Sequence, residues 1–441
     1  MKKLILSLAA TPLILGSMAV SAQAADDGFN IFSDVKFKGE LRPRYQFTDD
    51  KAKADAGTDA GSSITNRTNL NFSAKLFEVS GLNGTMELNA VNDFGSQQGA
   101  NQNGGEFLGA KISQANIDYT VGGVTGIVGR KTVNIDNQRF IGSVGWKQNF
   151  QTFDLVAAAY GTGDFNILAA YVYGVNAIGD LGYDYGQNPE PKYAGGVTSG
   201  RTNSALVNAS YKVMDPVKVT GYAYLLGSAS NTFGLAVTGK VAMGDSAKLN
   251  YRVEGAMQTK ASLKTFGNPV SANPEHPDSL LGSAGYVNLD VGANISGFLV
   301  GLNYEILGGA DVNDAKTSQF QTPLATKHKF NGWADEFLST PGTGLADLNV
   351  RGGYKFDTAG KLIAVYHVFG AAADGTTASG ISAGDTYGSE FDIAYSVKLP
   401  GVTGVKALVK AAMYMDDDTN GVTAGDRTLA WVQLDYKFAT K

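Results

Sequence analysis

Val35-Lys36-Phe37-Lys38-Gly39-Glu40-Leu41-Arg42-Pro43-Arg44-Tyr45-Gln46-Phe47 is the stretch that decides the fold. Lys36, Lys38, Glu40, Arg42, Arg44 and Gln46 share one parity, and Val35, Phe37, Leu41, Pro43, Tyr45 and Phe47 the other. Successive side chains of a strand point to opposite faces, so this strand has one charged face and one greasy face. The pattern returns at Arg67, Asn69, Asn71, Ser73 and Lys75 against Leu70, Phe72, Ala74 and Leu76. It returns again in the last strand, with Leu434, Tyr436 and Phe438 against Gln433, Asp435 and Lys437. About eighteen such segments follow one another after residue 34. A greasy face on nearly every strand suits a closed tube with lipid outside and water inside.

The connections alternate in length. Gly122-Gly123, Asp215-Pro216, Gly244-Asp245, 357–360 and 401–404 are tight, whereas 48–66, 95–110, 134–152, 176–201, 259–284, 308–345 and 370–387 are long. The connection at 227–230 is the one short member of the long set. An even strand number returns both chain ends to the periplasmic side, and short periplasmic turns with longer extracellular loops are the habit of outer-membrane barrels. The expected fold is therefore all-β: a single antiparallel transmembrane β-barrel of about 18 strands, with aromatic residues outside and a water-lined interior.

Composition agrees. Charged residues make up only 17% of the 441, against about 25% in a typical soluble domain. Gly is abundant at 56, as turns and crowded walls require, and mean hydropathy is −0.10, too low for a helical membrane protein. Residues 1–24 read as a secretory signal: Lys2 and Lys3, an apolar core from Leu4 to Val20, then Ala22-Gln23-Ala24. Residues 25–441 form the barrel, with no linker or helical periodicity to divide them. No cysteine is present, which excludes disulfides and thiolate-bound metals. The net charge of −5 becomes −7 once Lys2 and Lys3 leave with the signal, so nucleic acid is no partner.

The inward parity is the candidate functional surface. It offers the cations Lys38, Arg42, Arg44, Arg67, Lys75, Arg130, Arg252 and Arg351, with Lys218, Lys248, Lys355, Lys398, Lys406, Lys410 and Lys437 further on. Glu40, Asp118, Glu254, Asp290, Glu305, Asp347, Glu390, Asp392 and Asp435 face them. A surplus of cations favours anions, while opposite charges on neighbouring strands also pair to stiffen the wall. Arg42 and Arg44 are the leading anion-binding candidates, because guanidinium presents a planar fork to carboxylate or phosphate.

Two loop stretches resemble the alginate export family of outer-membrane proteins. One runs from Gly129-Arg130 through Gln138-Arg139-Phe140-Ile141-Gly142 to Trp146-Lys147-Gln148-Asn149 and Thr152-Phe153-Asp154. The other runs from Leu324 through Lys327-His328-Lys329-Phe330-Asn331-Gly332-Trp333-Ala334-Asp335 to Gly344-Leu345-Ala346-Asp347. The resemblance implies an eighteen-stranded barrel and a passive channel, for an anionic polysaccharide in the best-known members. Residue chemistry leaves two roles open for Arg139, Trp146, Gln148, His328, Asn331, Trp333 and Asp335. Their indoles and amides could hold sugar rings, or both loops could fold inward as a constriction anchored by tryptophan.

Asp416, Asp418 and Asn420 open a D-x-D-x-N-G calcium pattern, but its twelfth position is Arg427 where bidentate Glu is needed. His276, His328 and His367 do not cluster in sequence as a zinc site requires. The expectation is an outer-membrane porin without cofactor or catalytic role, exported to a bacterial outer membrane. Its partners are lipid and a small hydrophilic or anionic solute, and a monomer is favoured. A closed-barrel surface adhesin and a hydrolase built on His328 are the alternatives.

Overall fold

The computed structural model describes residues 31–51, 60–94, 107–179, 200–227, 229–259, 282–310, 318–375, 381–417, 422–423 and 425–440. The expected signal, His276, Asp418 and Asn420 lie outside them. Strands β1 (Phe32–Asp50), β2 (Ala60–Leu76), β3 (Leu82–Asp93), β4 (Gly109–Val121), β5 (Val124–Lys131) and β6 (Thr152–Gly161) begin the wall. It continues through β7 (Phe165–Asn176), β8 (Gly200–Met214), β9 (Val217–Leu225), β10 (Asn231–Met243), β11 (Ala247–Thr259) and β12 (Ala284–Ile295). It ends with β13 (Phe298–Leu307), β14 (Leu345–Lys355), β15 (Lys361–Gly370), β16 (Thr386–Lys398), β17 (Val405–Asp416) and β18 (Arg427–Ala439). Every strand pairs antiparallel with its sequence neighbours, and β1 pairs with β18, so the sheet is a closed 18-stranded barrel.

Closure matters because a sheet edge in hydrocarbon would leave backbone donors and acceptors unsatisfied. At the seam Gly39 faces Phe438, and the aromatic ring lies where a side chain at 39 would sit. Val128, Val156, Leu235, Val300, Val350 and Val432 are exposed on the outer face. Aromatic contacts mark the periplasmic rim: Phe298 with Tyr354 at 4.7 Å and Phe37 with Phe72 at 4.9 Å. A closed barrel with this outer surface spans a membrane; among the described residues no helix is long and apolar enough to do so.

The loop expected at 48–66 is shorter than that, because β1 and β2 stay paired up to Asp49↔Ala60. Gly61 and Ser62 hold positions near the loop end where the facing strand carries Thr48 and Phe47, and with small or polar residues there the alternation that marks a strand fades before the strand does. The interior also differs from the expectation. Tyr222, Tyr224, Tyr286, Phe369, Tyr387, Tyr414 and Trp431 point inward near the extracellular end and are buried. The upper half of the lumen holds a packed aromatic cluster among buried charged and polar side chains, and cavities open below it toward the periplasmic end.

Candidate functional site

The connections at 132–151 and 318–344 fill the upper lumen. Ile135, Phe140 and Ile141 of the first and Phe320, Leu324 and Phe337 of the second pack on the inward aromatics; Phe140 lies 5.3 Å from Tyr286 and Phe337 4.6 Å from Phe369. The loops also hold each other. Gly142 N donates to Leu324 O at 2.9 Å, Thr326 N to Gln138 O at 3.1 Å, and Gln151 Nε2 to both Gly142 O and Leu324 O.

The wall grips the first loop by four consecutive carbonyls. Arg42 Nη1 donates to Gly145 O at 3.0 Å, Arg44 Nη2 to Trp146 O at 2.6 Å, Arg67 Nη1 to Lys147 O at 3.1 Å and Asn89 Nδ2 to Gln148 O at 3.2 Å. Gln148 Nε2 answers by donating to Arg42 O and Thr65 Oγ1. Arg42 and Arg44, expected to meet solute, are therefore loop anchors. Arg42 also pairs with Asp435 at 2.7 Å and Glu40 at 2.9 Å, and Arg67 with Glu40 at 2.6 Å. Arg44 bonds Gln433 Oε1 and lies 4.1 Å over the Trp146 ring.

Arg139 joins three elements. It forms a two-pronged pair with Glu305 of β13 at 2.6 and 3.0 Å, and its Nη2 donates to Asn331 Oδ1 of the second loop at 2.9 Å. Asn331 Nδ2 then donates to Glu305 and Asp347. The next residues seat on two wall carboxylates: Trp333 N donates to Asp392 Oδ2 at 3.2 Å and Ala334 N to Glu390 Oε1 at 2.7 Å. Gly332 allows that approach. Its φ is +86°, and a Cβ there would meet the Glu390 carboxylate at 2.3 Å. Gly332→Ala is expected to lift this loop, since a non-glycine residue held at positive φ costs about 1–3 kcal/mol before the collision is counted. The readout is lower thermal stability together with larger, noisier single-channel currents.

His328 sits between the loops. Trp146 stacks on its ring at 4.9 Å with planes 4° apart, Asp335 Oδ1 meets Nδ1 at 2.7 Å, and Lys410 Nζ donates to Nε2 at 2.6 Å. Lys147 Nζ reaches Asp335 at 3.2 Å. Burial holds the His328 imidazole down to about 3; Asp335 favours a proton on the ring, while Lys410 and Lys147 oppose one. Asp335 stays well below the usual carboxylate range; burial opposes ionisation, but His328 and Lys147 overcome it. Lys410 Nζ lies 4.0 Å from the Trp333 ring, 4.2 Å from Trp146 and 5.1 Å from Trp431, a box of all three tryptophans. Both ring nitrogens of His328 are thus engaged, and among the described residues neither bonds a serine. The box was missed in sequence, where Trp431 carried no signal and Lys410 was one inward lysine among many.

The remaining expected residues sort by partner. Arg252 pairs with Glu254 at 2.7 Å and with Asp136 of the first loop, and Arg351 pairs with Asp290 at 2.6 and 2.9 Å. Lys75 pairs with Asp34 at 2.6 Å, and Asp118 accepts from Asn83 Nδ2 at 3.2 Å. Arg130 is corrected: it stands across from Ala115 and shares its parity with Val128 and Ile112, both exposed outside, so it is no pore residue. There it pairs with Asp154 at 2.7 Å, which lets a charge stay on the outer wall near the rim. Asp416 Oδ1 accepts from Thr423 Oγ1, and among the described residues no group of acids or histidines could hold a metal.

Below the loops the lumen opens. A cavity of about 900 Å³ lies under Trp146, bounded by Arg42, Gln433, Asp435, Lys398, Lys406 and Lys437. Another of about 470 Å³ lies beside Asn288, Asn303, Asn349 and the Arg351–Asp290 pair. Lys38, Lys218, Lys248, Lys355, Lys361, Lys398 and Lys406 share the inward parity here, and among the described residues none is in an ion pair.

A closed 18-stranded barrel with inward-folded loops has the fold of outer-membrane porin structures. Among solved structures it is similar to OccAB2 of Acinetobacter baumannii, with a TM-score of 0.70 at 12% identity over 93% of this chain and 99% of that one. It is similar also to OccK9 (OpdG) of Pseudomonas aeruginosa, with a TM-score of 0.67 at 13% identity over 92% and 99%, and to OpdO of the same organism, at 0.68, 11%, 92% and 98%. At such identities the likeness is one of fold. No protein-family model matches the chain, and no curated protein matches it.

Proposed function

We propose that the protein is an outer-membrane porin, a passive channel for small hydrophilic solutes with a preference for anions. The carrying observation is charge bookkeeping inside the barrel. The inward carboxylates Glu40, Asp290, Glu254, Glu305 and Asp435 are each bound to an arginine, whereas lysines such as Lys38, Lys218 and Lys248 keep their charge for the water of the lower lumen. Fixed cations lining a pore raise the local concentration of anions.

Small anions suit this interior better than a sugar chain of the alginate type. The stretches that resemble the alginate export family hold loops in place here: Trp146 and Trp333 turn their faces to His328 and Lys410, leaving no free indole for a pyranose ring. The porin fold supports the channel over a closed surface adhesin.

Reconstitution in planar bilayers tests the reading. Discrete conducting steps are expected, with a reversal potential in a KCl gradient on the chloride side. Lys218→Glu with Lys248→Glu should lower the chloride-over-potassium permeability ratio severalfold. A folded barrel without conducting steps would end the porin reading, and an unmoved reversal potential would remove these lysines from it.

A further inference from the structure

Lys355 of β14 stands directly opposite Lys361 of β15, and Lys398 of β16 directly opposite Lys406 of β17. Lys361 is in turn opposite Ser396, two residues from Lys398 on the same face. Four adjacent strands thus present four inward lysines in one row at the periplasmic end. None has a carboxylate within ion-pair distance among the described residues. Like charges directly opposed in a sheet repel, whereas inward arginines such as Arg351 and Arg42 are matched with acids, Asp290 and Asp435. The row is also concave. Lys398 and Lys406 line the 900 Å³ cavity, with Lys437 at its far side and Trp146 as its roof.

We propose that this row is a binding site for multivalent small anions, carrying several phosphoryl or carboxylate groups, at the periplasmic mouth. Opposed lysines have Cβ atoms about 5 Å apart, so one chain of linked anionic groups touches several ammoniums at once. A monovalent anion touches one and gains little. The same ligand would relieve the repulsion across both pairs. Ammonium groups act as rotatable point charges with three donors each, which suits tetrahedral and extended anions alike. The site deepens the channel reading and depends on it only for access from the periplasmic side.

Inorganic triphosphate is the probe. With the folded, full-length barrel in neutral detergent at low ionic strength, where screening is weak, titration calorimetry should show saturable binding. Lys361→Gln with Lys398→Gln should weaken it at least tenfold, and Lys240→Gln, on the opposite wall, should leave it unchanged. In bilayers, triphosphate should reduce the current at lower concentration from the periplasmic side than from the other. Absent binding, equal binding by the double variant, or an equal loss in Lys240→Gln would overturn the site. A barrel that prefers chloride but ignores triphosphate sinks the site alone. A barrel that binds triphosphate through Lys361 and Lys398 yet passes no current sinks the channel and leaves the site standing.

Discussion

Arg139→Ala should unseat both inward loops and produce the largest change in conductance available from one residue. Arg139 and Glu305 are each 2% exposed, and their pair is the point where the first loop, the second loop and β13 meet. Removing one member of a buried ion pair leaves the other as an uncompensated charge and costs about 3–5 kcal/mol. Glu305 would retain only Tyr286 and Asn331 as donors. The loops are a packed insert within an independently hydrogen-bonded wall, so the barrel should remain closed while the insert loosens. The expected result is a severalfold larger single-channel conductance, a lower melting temperature and an unchanged strand content by circular dichroism. A conductance equal to that of the parent would mean that the aromatic packing around Phe140 suffices to hold the insert. Glu305→Gln, which keeps the shape and removes the charge, should fall between the two.

Acid should open the same insert. Seated His328 is neutral: its Nδ1–H is directed at Asp335 and its Nε2 accepts from Lys410. A released His328 takes a second proton near its ordinary value of 6.5, while the seated ring resists it down to about 3. The seated state therefore binds fewer protons. Its advantage is complete above about pH 6.5 and is lost as pH falls from there toward 3. Each unit of that difference is worth about 1.4 kcal/mol, so the shift far exceeds what a surface histidine supplies. Asp335, held below its ordinary 3.8, withdraws its own contribution only at still lower pH. Single-channel recordings at pH 7.5, 5.5 and 4 should show rising open-state noise and conductance. His328→Gln, which cannot charge, should remove that dependence between pH 7 and 5. A pH response identical to the parent's would assign the opening to other groups.

The wall was legible because two solvents wrote on it. Lys36 to Gln46 and Val35 to Phe47 alternate because water and lipid lie on the two sides of one strand. The same rule failed at Arg130, close to the rim, where Asp154 makes a charge on the outer wall affordable and parity no longer reports polarity. The loops were legible only as special. Arg139, Trp146, His328, Asn331, Trp333 and Asp335 were singled out, but not what each one touches. Arg139 and Glu305 are 166 residues apart, and His328 and Lys410 are 82 apart. Only barrel closure brings such residues together, and no local period encodes it. The inward turn of Tyr222, Tyr286 and Phe369 was hidden for the same reason. An aromatic on the inner parity reads as an error until a loop arrives to cover it.

The seam between β1 and β18 carries a consequence for how the molecule is made. Phe438 seals Gly39 across a join whose two halves are the earliest and latest parts of the barrel to leave the ribosome. Until the thirteen residues of β18 are present, β1 and β17 are both raw edges that hydrocarbon will not tolerate. Insertion must therefore wait for β18, and a copy that lacks it has to be kept from lipid until the ring can close.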